Sequence, residues 1–278
     1  MKARKRFGQH FLVDEGVLDG IVRAVRPSAS DRLLEIGPGP GALTARLHQT
    51  FANRSSDVTG TNPVVASGEF VAVEIDRDLA PPLRVRFPAL TVINDDILRV
   101  DLDALLSAGR WRIVGNLPYN ISTPLLVRLL AHLPKIADMH FMLQREVAER
   151  LAAQPGTKDW GRLTVLTQLQ CEVEQLFDVA PECFSPPPRV WSAVVRIRPR
   201  SSVPEVSFDA FDQVLRHAFT QRRKRLSNAL HSLPIDWARA GVDPGKRADA
   251  VTVAEYVALA RALASAFATE AAYDQDQG

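Results

Sequence analysis

Cysteine is scarce in this 278-residue chain: Cys171 and Cys183 stand alone and form no CxxC pair, which excludes a disulfide-built fold and suits a reducing compartment. Aromatic residues make up only 7% of the chain, and the six histidines include no i,i+4 pair and no HExxH, so a zinc site is not expected and no metal is assigned. There is no GxSxG nucleophile elbow, and Gly241 to Lys246 is one residue short of a P-loop. Long apolar runs are missing too. The stretch Val257 to Ala268 is broken by Arg261 and falls short of the ~20 residues a membrane helix needs, so no membrane partner is expected. The basic start, Met1 to Arg6, is followed only by Phe11 to Val13 before Asp14 and Glu15 interrupt it, which predicts a cytoplasmic rather than a secreted protein.

Net charge is also small. Thirty-four Lys and Arg against 32 Asp and Glu leave +2, so the average charge gives no reason to expect a nucleic-acid partner. Local charge does. Arg4, Lys5 and Arg6 sit near the start, Arg196, Arg198 and Arg200 alternate further on, and Arg222, Arg223, Lys224 and Arg225 form a block. Separated cationic clusters on a near-neutral chain can track a phosphate backbone, although a single cluster is more often a solvated face.

The first two-thirds alternates strand-like and helical runs, the pattern of an α/β fold with a mostly parallel sheet. Strands are predicted at Arg32 to Ile36, Phe70 to Glu74, Leu90 to Ile93, Arg112 to Gly115, Met139 to Leu143 and Val190 to Ile197, with a helix near Ala42 to Thr50. Their Val and Ile content with little polar alternation predicts burial on both faces. From Phe208 the apolar spacing turns helical, through Phe211, Val214, Leu215 and Ala218, which predicts a small helical domain. The expected division is a catalytic domain over residues 1–200, a helical domain over 205–270 and a frayed tail at 271–278. Ala52 to Gly68 has too little apolar content to pack and reads as a mobile insertion.

Gly37, Gly39 and Gly41 alternate with prolines directly after a strand and before a helix, where missing Cβ atoms let backbone amides approach a ligand. The two prolines remove amides that a pyrophosphate would use, which favours a ligand without phosphates over a dinucleotide. Glu74 ends the next strand, where an acid accepts from ribose hydroxyls. It lies 37 positions after Gly37 against the usual ~20, and the insertion accounts for the excess. Asp95 and Asp96 follow the third strand, either as acceptors for an adenine amine or as a helix N-cap. Asn116, Leu117, Pro118 and Tyr119 follow the fourth strand: oxygens to receive amine protons, a rigid turn, and a flat ring for a planar base. Phe184, before three prolines, is either a second stacking ring or a core residue.

These motifs resemble the class I, S-adenosylmethionine-dependent N6-adenine methyltransferases. More specifically, residues 4–12 (RKRFGQHFL), 35–39 (EIGPG), 115–124 (GNLPYNISTP), 184–190 (FSPPPRV) and 219–224 (FTQRRK) together are similar to the small-subunit ribosomal RNA adenine dimethyltransferases. The resemblance implies a Rossmann-like, mostly parallel seven-stranded sheet with a small C-terminal helical domain. It implies dimethylation at N6 of two adjacent adenosines in the 3′-terminal hairpin of 16S rRNA, within the 30S subunit, by a monomer that supports subunit biogenesis. S-adenosylmethionine contacts are implied at His10, Leu12, Gly37, Gly39, Glu74, Asp96, Ile97 and Asn116, catalysis at Asn116, Leu117, Pro118, Tyr119 and Phe184, and RNA contacts at Arg4, Lys5, Arg6, Arg222, Arg223 and Lys224. The chain departs from the family at His10, where Asn is usual, at Trp191, where an acid is common, and at Pro81 and Pro82, which lie inside the helix expected after the second strand. A 23S rRNA adenine methyltransferase and an rRNA-binding assembly factor without turnover are the rival readings.

Overall fold

The computed structural model describes residues 9–28, 30–55, 68–107 and 109–276. In chain order the first elements are β1 (Phe11–Leu12), α1 (Glu15–Val25), β2 (Arg32–Ile36), α2 (Ala42–Ser55), β3 (Glu69–Val73), α3 (Ala80–Arg86), β4 (Thr91–Ile93), α4 (Leu102–Leu105), β5 (Trp111–Asn116) and α5 (Ser122–Leu130). There follow β6 (Ile136–Gln144), α6 (Arg145–Ala152), α7 (Arg162–Gln170), β7 (Cys171–Val179), β8 (Phe184–Ser185) and β9 (Ser192–Pro199). The chain ends with α8 (Phe208–Thr220), α9 (Leu226–Ala229), α10 (Trp237–Ala240) and α11 (Val253–Asp276). The six strands expected from apolar runs form within three residues of their predicted ends.

Seven strands make one sheet in the order β4-β3-β2-β5-β6-β9-β7. The first five run parallel, and β9 turns antiparallel onto β6. The rule for such sheets puts ligands at the carboxyl ends of the strands. The elements that went unpredicted include α1, the β1–β8 pair and β7. β7 alternates buried and polar positions at the sheet's edge, so it lacks the dense apolar signal of the central strands. β1 and β8 are two-residue strands that pair antiparallel, Phe11 opposite Ser185 and Leu12 opposite Phe184.

The chain divides into two compact units, residues 1–148 with 173–199, and residues 149–172 with 200–278. In the first, α1 is capped by Asp14, whose Oδ1 accepts from Val17 N at 2.8 Å, and it buries Leu18, Ile21 and Val25. These join Leu33, Leu47, Phe70 and Val114 in one core, each large side chain worth about 1.5–3 kcal/mol when buried. At the amino ends of the strands Arg112 ties three segments together, pairing with Asp31 at 3.0 Å and Asp138 at 2.6 Å and donating to the Arg26 carbonyl.

The second unit has its own core of Trp160, Leu166, Phe211, Leu215, Tyr256 and Leu259. Two of its buried polar groups are paired with the backbone: Trp160 Nε1 donates to Val251 O and Tyr256 Oη to Ala248 O. Residues 149–172, expected within the catalytic domain over 1–200, belong here, because Val165, Leu166 and Leu169 share this core. That exchange between sequence-distant segments carries no local signature. The expected tail at 271–278 is also corrected: α11 runs to Asp276, through an alanine-rich stretch of high helix propensity. Pro81 and Pro82 occupy the first turn of α3, where a missing N–H goes unnoticed.

The insertion is corrected in part, since residues 52–55 complete α2, whereas 56–67 lie outside the described residues. β3 begins at Glu69, paired with Arg32 at the amino end of β2, away from the carboxyl ends. Replacing residues 56–67 by a short Gly-Ser turn is therefore expected to leave S-adenosylmethionine affinity within about twofold of the parent, because loop-closure entropy changes slowly with length. Calorimetric titration with the cofactor checks this, and a large loss in a folded protein would refute the placement.

Candidate active site

Four carboxyl-terminal strand ends converge: Gly37 follows β2, Glu74 follows β3, Asp95 and Asp96 follow β4, and Asn116 closes β5. Gly37 and Gly39 adopt φ of 67° and 58°, the left-handed region that glycine enters without a Cβ penalty. Gly115 has a different reason to be glycine: a Cβ there would lie 2.6 Å from the Ile36 carbonyl oxygen, so β5 can approach β2 closely enough to present Asn116.

Glu74 is buried, and its carboxylate is doubly held. Oε2 accepts from Gly39 N at 3.0 Å and Oε1 from Asp76 N at 2.8 Å. Burial raises its pKa, with these backbone donors opposing the shift. Each oxygen retains a lone pair, so ribose hydroxyls can still be accepted. Asn94 Nδ2 braces the same strand end through the Glu74 carbonyl at 2.7 Å. Asp96 Oδ1 accepts from Leu98 N, and Asp95 Oδ1 from Asp96 N, so both acids stabilise their own turn while lining the cavity. Arg128 pins this loop from α5 by donating to the carbonyls of Ile97 and Val100.

Two adjoining cavities result. One of about 70 Å³ is lined by His10, Gly39, Glu74, Asn116 and Tyr119. The other, about 250 Å³, is lined by Asp95, Asp96, Ile97 and Ile121, and the two share Gly37, Ile75 and Pro118. Ile75 is 43% exposed between them, an apolar surface for a flat ring. The residues thus fit S-adenosylmethionine: an apolar slot beside Asp96 for adenine, a carboxylate for the ribose, and a glycine turn of close approach. Ile75 and Arg128 were missed in the sequence. Ile75 follows Glu74 directly and could have been flagged by that adjacency; Arg128 carries no local signal.

The Asn116 side chain donates through Nδ2 to His10 O at 2.9 Å, which leaves Oδ1 as the outward acceptor. The Pro118 carbonyl already accepts from Ile121 N and Ser122 Oγ, whereas the Leu117 carbonyl accepts no hydrogen bond among the described residues. Asn116 Oδ1 and Leu117 O are therefore the two acceptors the motif offers an amine. Tyr119 is held by a hydrogen bond between its hydroxyl and Ser192 Oγ at 3.0 Å, and burial raises its pKa. The His10 ring lies near parallel to Tyr119 with centroids 6.0 Å apart, and its Nδ1 is 2.8 Å from Pro186 O. His10 thus meets the site through its backbone carbonyl and its ring.

Other expected residues lie elsewhere. Phe184 is buried in the core opposite Leu12 and lines neither of these two cavities. Leu12 is likewise a core residue, behind the glycine turn. Trp191, the departure near β9, lies beneath the Arg145 guanidinium, 5.8 Å from ring centroid to Cζ. Of the cationic block, Arg222 is committed to the Lys158 carbonyl at 2.7 Å and to Asp249, while Arg223 and Lys224 are exposed on a turn after α8. Arg4, Lys5 and Arg6 lie outside the described residues. Among the described residues no group of three His, Cys, Asp or Glu side chains could hold a metal ion, and no helix is long and apolar enough to cross a membrane.

Comparison with known proteins places these motifs in context. The profile of the ribosomal RNA adenine dimethylase family matches residues 1–265. The ribosomal RNA small subunit methyltransferase A of Chromohalobacter salexigens is 47% identical over 275 residues, covering 95% of this chain and 92% of that protein. Its counterpart from Bordetella pertussis is 48% identical over 271 residues, covering 95% and 96%. Among solved structures, a dimethyladenosine transferase from Plasmodium falciparum superposes with a TM-score of 0.73 at 25% identity, covering 90% of this chain and 96% of that one. The 23S rRNA methyltransferase ErmE gives 0.66 at 26% identity, covering 91% and 99%.

Beneath the glycine turn Glu35 is fully buried, its Oε2 has no hydrogen-bond partner among the described residues, and burial pushes its pKa up to about 8, the charge on Glu74 adding to the shift. A carboxyl whose folded pKa exceeds its unfolded value stabilises the fold fully below the unfolded value of 4.5 and loses that contribution as pH rises to about 8. Wild type should therefore lose stability relative to Glu35→Gln between these limits, by about 4 kcal/mol. Urea unfolding of both proteins at pH 5 and pH 8 checks this; parallel changes in the two would show that Glu35 does not titrate there.

Proposed function

This chain belongs to the ribosomal RNA adenine dimethylase family, and from that premise we propose that it dimethylates N6 of two adjacent adenosines in the 3′-terminal hairpin of 16S rRNA. It is an S-adenosylmethionine-dependent rRNA adenine dimethyltransferase. On this reading it works as a monomer in the cytoplasm, on RNA assembled into 30S particles, and it needs no metal. The observation that carries the reading is the pair of acceptors, Asn116 Oδ1 and Leu117 O, beside the glycine turn and Glu74.

S-adenosylmethionine, when bound, supplies a methyl group on an electrophilic sulfonium. Glu74, Asp96 and the turn at Gly37 and Gly39 would hold it. An adenine amine has its lone pair delocalised into the ring, and acceptance of its two protons by Asn116 Oδ1 and Leu117 O draws that pair out of conjugation. Asn116 Nδ2, tied to His10 O, fixes which amide atom faces the amine. Tyr119, held by Ser192, offers the flipped base a stacking face worth ~1–3 kcal/mol. Orientation supplies much of the rate, and no strong base is required, because the methylated nitrogen is acidic and passes its proton to a carbonyl or to solvent. With Phe184 in the core, Tyr119 is the aromatic face that this reading uses.

Methyl transfer from labelled S-adenosylmethionine to unmodified 30S particles, against 23S rRNA as the competing substrate, tests the reading. Incorporation confined to 30S particles is expected. Methylation of 23S rRNA would favour the second family branch, and binding without incorporation would favour an assembly factor.

Asn116→Ala should lower the single-turnover rate by about 10²–10³-fold, as loss of one oriented hydrogen-bonding group does, while cofactor affinity measured by calorimetry stays within about tenfold. A mutant rate within threefold of wild type would remove Asn116 from the chemistry. Arg223→Glu with Lys224→Glu should weaken rRNA binding across sequences and reduce the slope of log K against log salt by about 1–2, since phosphate contacts release counterions. An unchanged slope would make them a solvated turn. Arg222 is left out of this test because its bonds to Lys158 O and Asp249 belong to the fold.

A further inference from the structure

A second basic recess lies in the first unit, at the amino ends of the strands and so on the far edge of the sheet from the cofactor cavities. It measures about 390 Å³ and is lined by Arg23, Arg26, Arg112, His140, Arg196 and Arg198, with Asp138 and Glu174 as the carboxylates. Register explains the gathering. Arg112 lies opposite Asp138 on β5 and β6, and His140 lies opposite Arg196 on β6 and β9, so these side chains share one face, and the end of α1 brings Arg23 and Arg26 over it.

The ion pairs account for only part of the charge. Arg112 is consumed by Asp31 and Asp138, and Arg196 pairs with Glu174 through one Nη. Arg23 and Arg26 make no side-chain hydrogen bond or ion pair among the described residues. Three donors or acceptors at the floor are buried and unpartnered there: Arg196 Nε and both ring nitrogens of His140, a residue only 2% exposed. His140 Nδ1 is 3.6 Å from Asp138 Oδ1, too far for a hydrogen bond. Burial, reinforced by Arg112, Arg196 and Arg198 and opposed by Asp138, lowers its pKa to about 4, so at neutral pH it presents one N–H and one lone pair.

Arg26 supplies an independent observation. It is the one non-glycine residue with positive φ among the described residues, at 49°, in the left-handed position that closes α1 and that glycine usually fills. A side chain there is sterically disfavoured, yet the chain carries an arginine at this position, and that residue lines the recess.

We propose that this recess is an anion site that binds a phosphate group, with Arg196 Nε and His140 donating at its floor and Arg23 and Arg26 closing over it from the end of α1. Phosphate matches the donors: several oxygens, high charge, and a fork geometry that guanidinium groups recognise. The phosphate belongs either to the backbone of the RNA substrate or to a small phosphorylated molecule.

The test is calorimetry of the full chain with inorganic phosphate at constant ionic strength, sodium chloride serving as the control. Saturable binding is expected for phosphate alone. Arg23→Gln with Arg26→Gly, which relieves the backbone at residue 26, should weaken it by about tenfold or more, as should Arg196→Lys, which keeps the charge facing Glu174 but removes Nε. Thermal melts confirm that each variant is folded. The same variants are then assayed with RNA. A several-fold rise in KM for RNA with kcat and cofactor affinity unchanged assigns the phosphate to the RNA backbone; phosphate binding with KM unchanged assigns it to a small molecule. Heat indistinguishable from chloride overturns the site, even if KM for RNA rises, since that would reflect diffuse charge. The calorimetric arm needs no turnover, so failure of rRNA methylation would refute the proposed function without touching this inference.

Discussion

The cofactor trough depends on one carboxylate. Glu74 bridges the Gly39 and Asp76 amides, and so fastens the turn after β2 to the end of β3. Hydrogen bonds to a charged group contribute about 1.5–3 kcal/mol each, enough to hold a glycine-rich turn that has little other reason to keep one shape. Because the carboxylate proposed to accept from the ligand is also the scaffold, the turn is fixed by the protein's own bonds. The burial that raises its pKa also strengthens whatever it accepts, since a low local dielectric magnifies charge-assisted bonds.

Much of the sheet and most of the trough were legible in the sequence. Buried parallel strands are written as dense apolar runs, and their ends coincide with Gly37, Glu74, Asp96 and Asn116, so a period and a topology rule suffice to bring those residues together. What escaped was non-local. β7 alternates like any amphipathic surface segment, and residues 149–172 contribute to a core whose other members begin some forty positions later. Phe184 shows the limit for a single residue: three prolines after an aromatic ring suggest a rigid platform, yet only its pairing with Leu12 across β1 and β8 decides which way the ring turns. Arg222 shows the same limit for charge, since its partners Lys158 and Asp249 are distant in sequence.

The two edges of the sheet carry different chemistry because parallel strands sort their ends. Carboxyl ends gather acids, glycine and the asparagine of the motif, whereas the amino ends of β5 and β6 gather Arg112, Asp138, Asp31 and the Arg26 carbonyl into a cluster that ties the end of α1 to the sheet. Rigidity at one edge is what allows bare acceptors to be held ready at the other, since an orienting site needs supports that do not move with it.

The bond between Tyr119 and Ser192 spans 73 residues. During synthesis the catalytic motif therefore emerges well before the residue that steadies its ring. Strand β6 also waits, because its antiparallel neighbour β9 is made last of the seven. A nascent chain that has just released Asn116 carries most of a cofactor trough but no completed wall behind it. Completion of the sheet thus waits for the last of its strands to be made, since β6 gains its antiparallel neighbour only with β9.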